Sequence, residues 1–200
     1  MTNMDEPSPI PHVLACDVGN SAIKIAHVCG EDVADTTTAT IGDLTELSRR
    51  LAELWETIPG PKVLAASSVN PSACKALEAA VAQGLGKEPV RLVGRDLPLP
   101  METELSTPES IGTDRLCAAV AAYDRPKEGA IVVDFGTATT LDLISPKGAY
   151  LGGAIAPGLG VSLEALYEKT AKLPRIDLKR PATVIGRNTV DSMRSGMYWG

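Results

Sequence analysis

Apolar and polar residues alternate along this chain with two different periods. Short apolar runs bounded by glycine or proline predict β-strands, whereas apolar residues spaced three and four apart predict a helix. The helical period is clearest after Asp43, where Leu47, Leu51 and Leu54 share one stripe that ends before Pro59. The first half therefore predicts three strands, a helix, a strand and a second helix, at residues 13–16, 22–28, 31–40, 43–58, 62–67 and 71–85.

A second series of strands begins at residue 130 and repeats the order of the first. Strands are predicted at 130–134, 138–144 and 149–156, followed by a helix at 159–166. Between the two series the pattern predicts a short strand, a polar loop and a helix, at 90–93, 94–110 and 112–123. Because one further helix at 189–198 is all that follows, we expect an α/β fold of two duplicated domains, the second of them incomplete.

Each copy opens on a strand that ends in the same kind of turn. The turns are Asp17-Val18-Gly19-Asn20-Ser21 and Asp134-Phe135-Gly136-Thr137-Ala138. A carboxylate at a strand end, followed by glycine and a hydroxyl or amide residue, can hold a hydrated cation while backbone N–H groups approach phosphate oxygens. A single turn of this kind is commonly no more than an aspartate bonded to its own backbone. The repeated context favours a phosphate site, to which Lys24 would add positive charge.

A third motif, Gly112-Thr113-Asp114-Arg115, lies at the start of a predicted helix. One interpretation is ordinary helix chemistry, with an acidic residue in the first turn and a surface ion pair for Arg115. The other is an anion-binding helix end that offers a carboxylate to receive a hydroxyl proton and a guanidinium to hold an anionic group. The motif alone leaves both interpretations open.

Composition narrows the classes of function. The 200 residues carry a net charge of −6, with 44% hydrophobic and 22% charged residues, which suits a full core and argues against a broad basic surface for nucleic acid or anionic lipid. No apolar run is long enough to span a membrane, so we expect a cytoplasmic protein. The acidic, proline-rich residues 1–11 are expected to form a flexible lead-in.

Cysteine and histidine spacing gives no indication of a zinc site or a disulfide framework. The four cysteines are scattered and are predicted to be buried thiols: Cys16, Cys29, Cys74 and Cys117. His12 and His27 show no triad or metal spacing and are interpreted as strand or surface residues.

Taken together, the motifs resemble those of type III pantothenate kinase. The first turn extended to Lys24, the Gly112–Arg115 motif and the second turn are accompanied by three later segments, Gly152–Gly158, Thr170–Pro174 and Gly186–Thr189. The resemblance implies duplicated ribonuclease H-like (actin-like ATPase) domains, each a three-strand meander plus helices, with an ATP cleft between them. We place these domains at residues 12–110 and 111–200.

The same resemblance implies a reaction and the residues that perform it. The family transfers the ATP γ-phosphoryl group to pantothenate, the first step of coenzyme A biosynthesis, with Mg²⁺ and K⁺ or NH₄⁺, as a homodimer. Asp114 would be the catalytic proton acceptor, Asp134 a monovalent-cation ligand and Thr137 an ATP contact. The ATP-phosphate loop would comprise Asp17, Val18, Gly19, Asn20, Ser21, Ala22, Ile23 and Lys24. The pantothenate contacts would be Gly112, Thr113, Asp114, Arg115 and Thr189. The alternative hypothesis is a non-catalytic regulatory relative that binds a ligand or partner without turnover.

Overall fold

The computed structural model describes residues 12–20, 22–107 and 110–200. The expected flexible lead-in lies outside these residues, as does Ser21. The elements follow the predicted order, with most boundaries shifted by one to three residues: β1 His12–Val18, β2 Ala22–Cys29, β3 Asp32–Thr40, α1 Leu44–Thr57, β4 Lys62–Ser68, α2 Pro71–Gly84, β5 Val90–Leu92, α3 Thr113–Asp124, β6 Ala130–Phe135, β7 Ala138–Ile144, β8 Tyr150–Pro157, α4 Leu159–Lys169 and α5 Thr189–Trp199.

The first compact unit comprises residues 12–101 and 107–120. Its sheet has the strand order β3-β2-β1-β4-β5, in which β1 runs antiparallel to β2 and parallel to β4. Alternate strand residues such as Leu14 and Leu64 join Leu47, Leu51 and Leu77 of helices α1 and α2 in one core in which these side chains are almost fully buried. The helices therefore cover one face of this sheet.

Local capping explains where the two core helices begin. The Asp43 side chain accepts a hydrogen bond from the Glu46 N–H at the start of α1. The Asn70 side chain accepts from the Ser72 and Ala73 N–H groups at the start of α2, with Pro71 at the first helical position. The cap accounts for the start of α2 at residue 71, where the sequence pattern predicts it.

The second compact unit comprises residues 102–106 and 121–200. Its antiparallel sheet has the order β6-β7-β8, and α4 and α5 follow it. One face of this sheet exposes a row of apolar side chains on β6 and β7: Ile131, Val133, Phe135, Leu141 and Leu143. The opposite face buries Thr140, Asp142, Ile144 and Tyr150.

Two expectations differ from the structure in detail. We expected the domain boundary at 110/111, whereas residues 111–120, including the first two turns of α3, belong to the first unit. Of the four cysteines predicted to be buried, Cys16 and Cys74 are buried, whereas Cys29, the last residue of β2, and Cys117 in α3 are only half-buried. Within the described residues, no helix has the length and apolarity to cross a membrane.

Candidate functional site

The parallel pairing of β1 with β4 places the first aspartate beside a serine. Asp17 and Ser67 are register partners near the carboxyl ends of these two strands, where α/β sheets commonly bind ligands. On the other side of β1, Lys24 is paired with Asp17, and its Nζ lies 3.4 Å from Asp17 Oδ2. Both side chains are largely exposed, so this ion pair leaves them accessible to a ligand.

The turn after β1 is tied to the neighbouring helix. The Gly19 N–H donates to the Ala22 carbonyl at 3.1 Å, which closes the turn. The Asn20 side-chain oxygen accepts a hydrogen bond from Asn70 Nδ2 at 3.2 Å. Asn70 therefore caps α2 and steadies the predicted phosphate turn at the same time. The contact with Asn20 cannot be predicted from either segment alone, because it depends on the pairing of β1 with β4.

The Gly112–Arg115 motif is anchored to the end of β4. Thr113 Oγ1 lies 2.9 Å from Ser67 Oγ and 3.3 Å from the Ser68 carbonyl. Asp114 is exposed, and its Oδ1 accepts the Arg115 N–H at 2.8 Å. These bonds fix the first turn of α3 beside the strand ends that carry Asp17.

Gly112 is required by the orientation of the Asp114 carboxylate. A Cβ at position 112 would lie 2.4 Å from Asp114 Oδ1 and 3.0 Å from Val69 Cγ1. Both contacts are shorter than side chains tolerate without movement. The absence of a side chain at this position therefore allows the carboxylate to take its place at the helix start.

The Cys117 thiol lies within the electrostatic influence of both motif aspartates of the first unit, Asp17 and Asp114. Burial raises the pKa of this thiol, and the negative charges of Asp114 and Asp17 raise it further, while a hydrogen bond with Ser67 lowers it. Both carboxylates act on one sulfur atom, one turn along α3 from the Gly112–Arg115 motif. The first unit thus brings Asp17, Ser67 and Asp114 into one neighbourhood, which the sequence could not establish. Ser67 belongs to none of the motifs found in the sequence, and its positioning role becomes visible only through its contact with Thr113.

A cavity of about 570 Å³ opens beside this cluster on the sheet face opposite α1 and α2. Small side chains form its floor, including Ala15, Ala26 and Ala65, and Asp17 and Lys24 contribute charged groups. Its size is in the range of small-molecule sites, and its lining combines an apolar floor with a few polar groups. The arrangement suits a small ligand with one anionic end.

The second unit carries the corresponding turn at the end of β6. Asp134 is paired with Thr140 on β7 and is exposed, as is Thr137. The Gly136 N–H donates to the Ala138 carbonyl at 2.9 Å, matching the closure of the first turn at Gly19. The Gly158 N–H donates to the Thr137 carbonyl at 2.9 Å, and a Cβ at 158 would lie 2.1 Å from the Gly136 carbonyl oxygen. Only glycine permits this approach.

Thr189 lies at the first turn of α5, away in sequence from the other predicted substrate contacts. Asn188 caps this helix by accepting the Asp191 N–H at 2.9 Å. Thr189 lines a second cavity of about 620 Å³, together with Arg187, Asn188 and residues of α4 and α5.

A buried polar pair in the second unit escaped sequence analysis. Asp142 is 1% exposed, and its Oδ1 accepts the Tyr150 hydroxyl at 2.5 Å, while Thr140 Oγ1 lies 3.4 Å from its other oxygen. Alternation along β7 places Asp142 among inward-facing positions, but an aspartate there is unusual because burial of a charge requires partners. A charged residue at an inward-facing strand position is therefore the sequence feature that could have indicated this buried pair.

The donor set suits a magnesium ion that is held partly by its substrate. Among the described residues, no group of three or more His, Cys, Asp and Glu side chains could enclose a metal ion. Mg²⁺ commonly binds through one or two carboxylates plus substrate phosphates and water rather than through a protein cage. The exposed Asp17 carboxylate at the phosphate turn fits that mode.

Comparison with known proteins identifies the family. The type III pantothenate kinase family matches residues 13–200. The type III pantothenate kinase of Geobacter sulfurreducens is 39% identical over 197 residues, covering 94% of this chain and 76% of that protein. That of Koribacter versatilis is 55% identical over 100 residues, covering 50% of this chain and 36% of that protein.

Solved structures support the fold. A putative Baf family transcriptional activator from Campylobacter jejuni aligns over 92% of this chain and 72% of its own, with a TM-score of 0.56 and 21% identity. This likeness concerns the fold alone, and the predicted α/β class with two successive three-strand meanders is confirmed. With the family match over nearly its whole length, this chain belongs to the type III pantothenate kinase family.

Proposed function

We propose that this chain is a pantothenate kinase, which transfers the γ-phosphoryl group of ATP to pantothenate to give 4′-phosphopantothenate, the first step of coenzyme A biosynthesis. Its membership of the family supports this reaction. The observation that carries the proposal is the anchoring of Asp114 beside the strand ends that hold Asp17 and Ser67. A kinase needs an acceptor-side carboxylate fixed next to a phosphate-binding turn.

In this proposal the first unit performs most of the chemistry. Asp114 accepts the proton of the pantothenate hydroxyl as it attacks, since an exposed carboxylate whose position is fixed can take a proton late in phosphoryl transfer. Asp17 to Lys24 hold the phosphates of ATP through backbone N–H groups and the Lys24 ammonium. Asp17 would be the protein carboxylate that holds Mg²⁺, and the ion would supply positive charge beside the phosphates.

The remaining roles follow the family pattern. Gly112 to Arg115 and Thr189 contact pantothenate, and Thr137 contacts ATP. Asp134 is the ligand of the monovalent cation, K⁺ or NH₄⁺, because it presents an exposed carboxylate at a strand end. We also propose that the enzyme acts as a cytoplasmic homodimer.

The test measures ADP formation by the purified chain with Mg-ATP, with and without pantothenate, in K⁺ buffer. We expect pantothenate-dependent ADP release that falls at least a hundredfold in Asp114→Asn. Asp124→Asn is the matched control, because Asp124 is an exposed aspartate at the other end of α3. Binding of pantothenate by calorimetry without any ADP formation would instead support the non-catalytic regulatory alternative.

A further inference from the structure

The chain has two histidines, and the structure brings them together far from the phosphate turn. His27 on β2 belongs to the register pair Leu14–His27, and His12 precedes Leu14 by two residues, so both imidazoles lie on one face of the sheet. His12 Nδ1 is 2.9 Å from His27 Nε2, and the ring centroids are 5.1 Å apart. His12 is five residues from Asp17 along β1, which places the pair roughly 16 Å from that carboxylate.

The contact between the two rings requires one nitrogen to carry a proton and the other to present a lone pair. The facing nitrogens lie 2.9 Å apart, and a rotation of both rings about their side-chain bonds would turn their lone pairs toward one shared electrophile. Both rings are half-buried and lie on strands whose pairing fixes their backbones, so little ordering is needed to keep them facing each other.

We propose that His12 and His27 form a binding site for a late first-row divalent ion, Ni²⁺ or Cu²⁺. Two metal–nitrogen bonds of about 2.05 Å span the observed separation at an angle of about 90°. This angle is that of square-planar and octahedral ions, whereas a tetrahedral Zn²⁺ would need the nitrogens about 3.3 Å apart. Neutral imidazoles are the commonest protein ligands of such metals, and affinity rises toward Cu²⁺ in this series.

A metal ion can replace the hydrogen bond between the two rings without net release of a proton. In the hydrogen-bonded pair one ring donates its N–H to the other ring. When the ion binds, that proton moves to the far nitrogen of the same ring, so that both facing nitrogens present lone pairs. Each ring then keeps one N–H, as in the metal-free pair.

The surroundings define a chelate with two protein ligands. Cys29 lies on the same face of β2, two residues beyond His27, and Asp32 is its partner on β3. Lys62 pairs with His12 on β4, and its ammonium donates to the Trp55 and Ile58 carbonyls at the end of α1. Among the described residues no third ligand completes a cluster, so water fills the other coordination positions.

The test uses the full chain without any histidine tag, freed of metal by a chelator. Calorimetric titration with Ni²⁺ at pH 7.5 should show one site per chain, and the same titration with Zn²⁺ should show weaker binding. His12→Gln and His27→Gln should each weaken Ni²⁺ binding at least tenfold, while Cys29→Ser leaves it unchanged. Saturating Ni²⁺ should raise the melting temperature of the parent chain and of Cys29→Ser, but not of the histidine variants.

A second measurement identifies the ligands directly. Electron paramagnetic resonance of the Cu²⁺ complex of Cys29→Ser should show coupling to two imidazole nitrogens, and the added His27→Gln change should leave one. Equal Ni²⁺ affinity in the parent chain and in either histidine variant would overturn the proposal. So would loss of binding in Cys29→Ser, or a Cu²⁺ spectrum without imidazole coupling.

Discussion

Replacing Gly112 with alanine tests whether the orientation of Asp114 matters for turnover. The new Cβ would lie 2.4 Å from Asp114 Oδ1 and 3.0 Å from Val69 Cγ1. The backbone at Gly112 carries no positive φ, so alanine can adopt its conformation and the perturbation is steric. The substitution therefore acts on the carboxylate rather than on the chain path.

The expected size of the effect follows from the distance. To reach an ordinary contact of at least 3.4 Å, the Asp114 oxygen must retreat by about 1 Å. That movement breaks the 2.8 Å hydrogen bond from the Arg115 N–H, which holds the carboxylate at the helix start. Misplacing a catalytic group by about 1 Å can lower turnover about a hundredfold. Folding should be affected much less, because alanine at a helix N-terminus costs roughly 1 kcal/mol.

The assay compares kcat for pantothenate-dependent ADP release in the parent chain, Gly112→Ala and Gly42→Ala. Gly42 is the matched control, since a Cβ there meets nothing within 4 Å. Urea unfolding of all three proteins separates loss of activity from loss of structure. If Gly112→Ala keeps more than half of the parent kcat while remaining folded, the orientation of Asp114 is not what the glycine protects.

Three further predictions address other parts of the molecule. Asp134→Ala should remove the difference in activity between K⁺ and Na⁺ buffers, and a variant with the parent's K⁺ response would exclude Asp134 as the cation ligand. Burial raises the pKa of Cys16 from 9.0 to about 12, with a further contribution from the Asp17 charge. Because the unfolded thiol ionises first, this stabilisation is complete below pH 9 and is lost as the pH rises toward 12. The free energy of unfolding should therefore fall more steeply above pH 9 in the parent chain than in Cys16→Ala, by about 1 kcal/mol per pH unit, and parallel profiles would contradict this. Tyr150→Phe should destabilise the chain by about 2 kcal/mol in urea unfolding by removing a hydrogen bond to a buried carboxylate, whereas Tyr167→Phe at an exposed site should change stability by less than about 0.5 kcal/mol.

Much of the fold could be predicted because its elements are encoded locally. The leucine stripe of α1 and the Asn70-Pro71 start of α2 depend on residues close together in the chain. The ends of the strands are predicted less closely. The apolar pattern ends β1 at residue 16, before Asp17, whereas the strand continues to Val18. Asp17 faces the cavity side of the sheet, where a polar side chain is accommodated within the strand. The hydrophobic pattern alone therefore predicts the end of β1 too early.

The candidate site was predictable in its motifs but not in its supporting contacts. Asp17 and Asp114 stand in short sequence patterns that can be recognised one by one. Ser67 and Asn70 act through hydrogen bonds to residues about fifty positions away, to Thr113 and Asn20 respectively. The contact with Asn20 depends on the parallel pairing of β1 with β4, and the contact with Thr113 depends on where α3 packs against β4. The hydrophobic period of a single strand or helix predicts neither arrangement.

The two duplicated turns differ in the residue that is paired with the aspartate across each hairpin. The residue paired with Asp17 across the hairpin is Lys24, whose ammonium already lies beside that carboxylate. The residue paired with Asp134 at the equivalent place is the neutral Thr140. Asp17 with Lys24 forms a locally balanced site that can accept the combined charge of a metal ion and phosphates. Asp134 has no such cation opposite it, so its exposed carboxylate would itself attract one from solution. The asymmetry therefore supports the proposed phosphate-binding role for the first turn and the proposed monovalent-cation role for the second, although a glycine N–H closes each turn, from Gly19 to Ala22 and from Gly136 to Ala138.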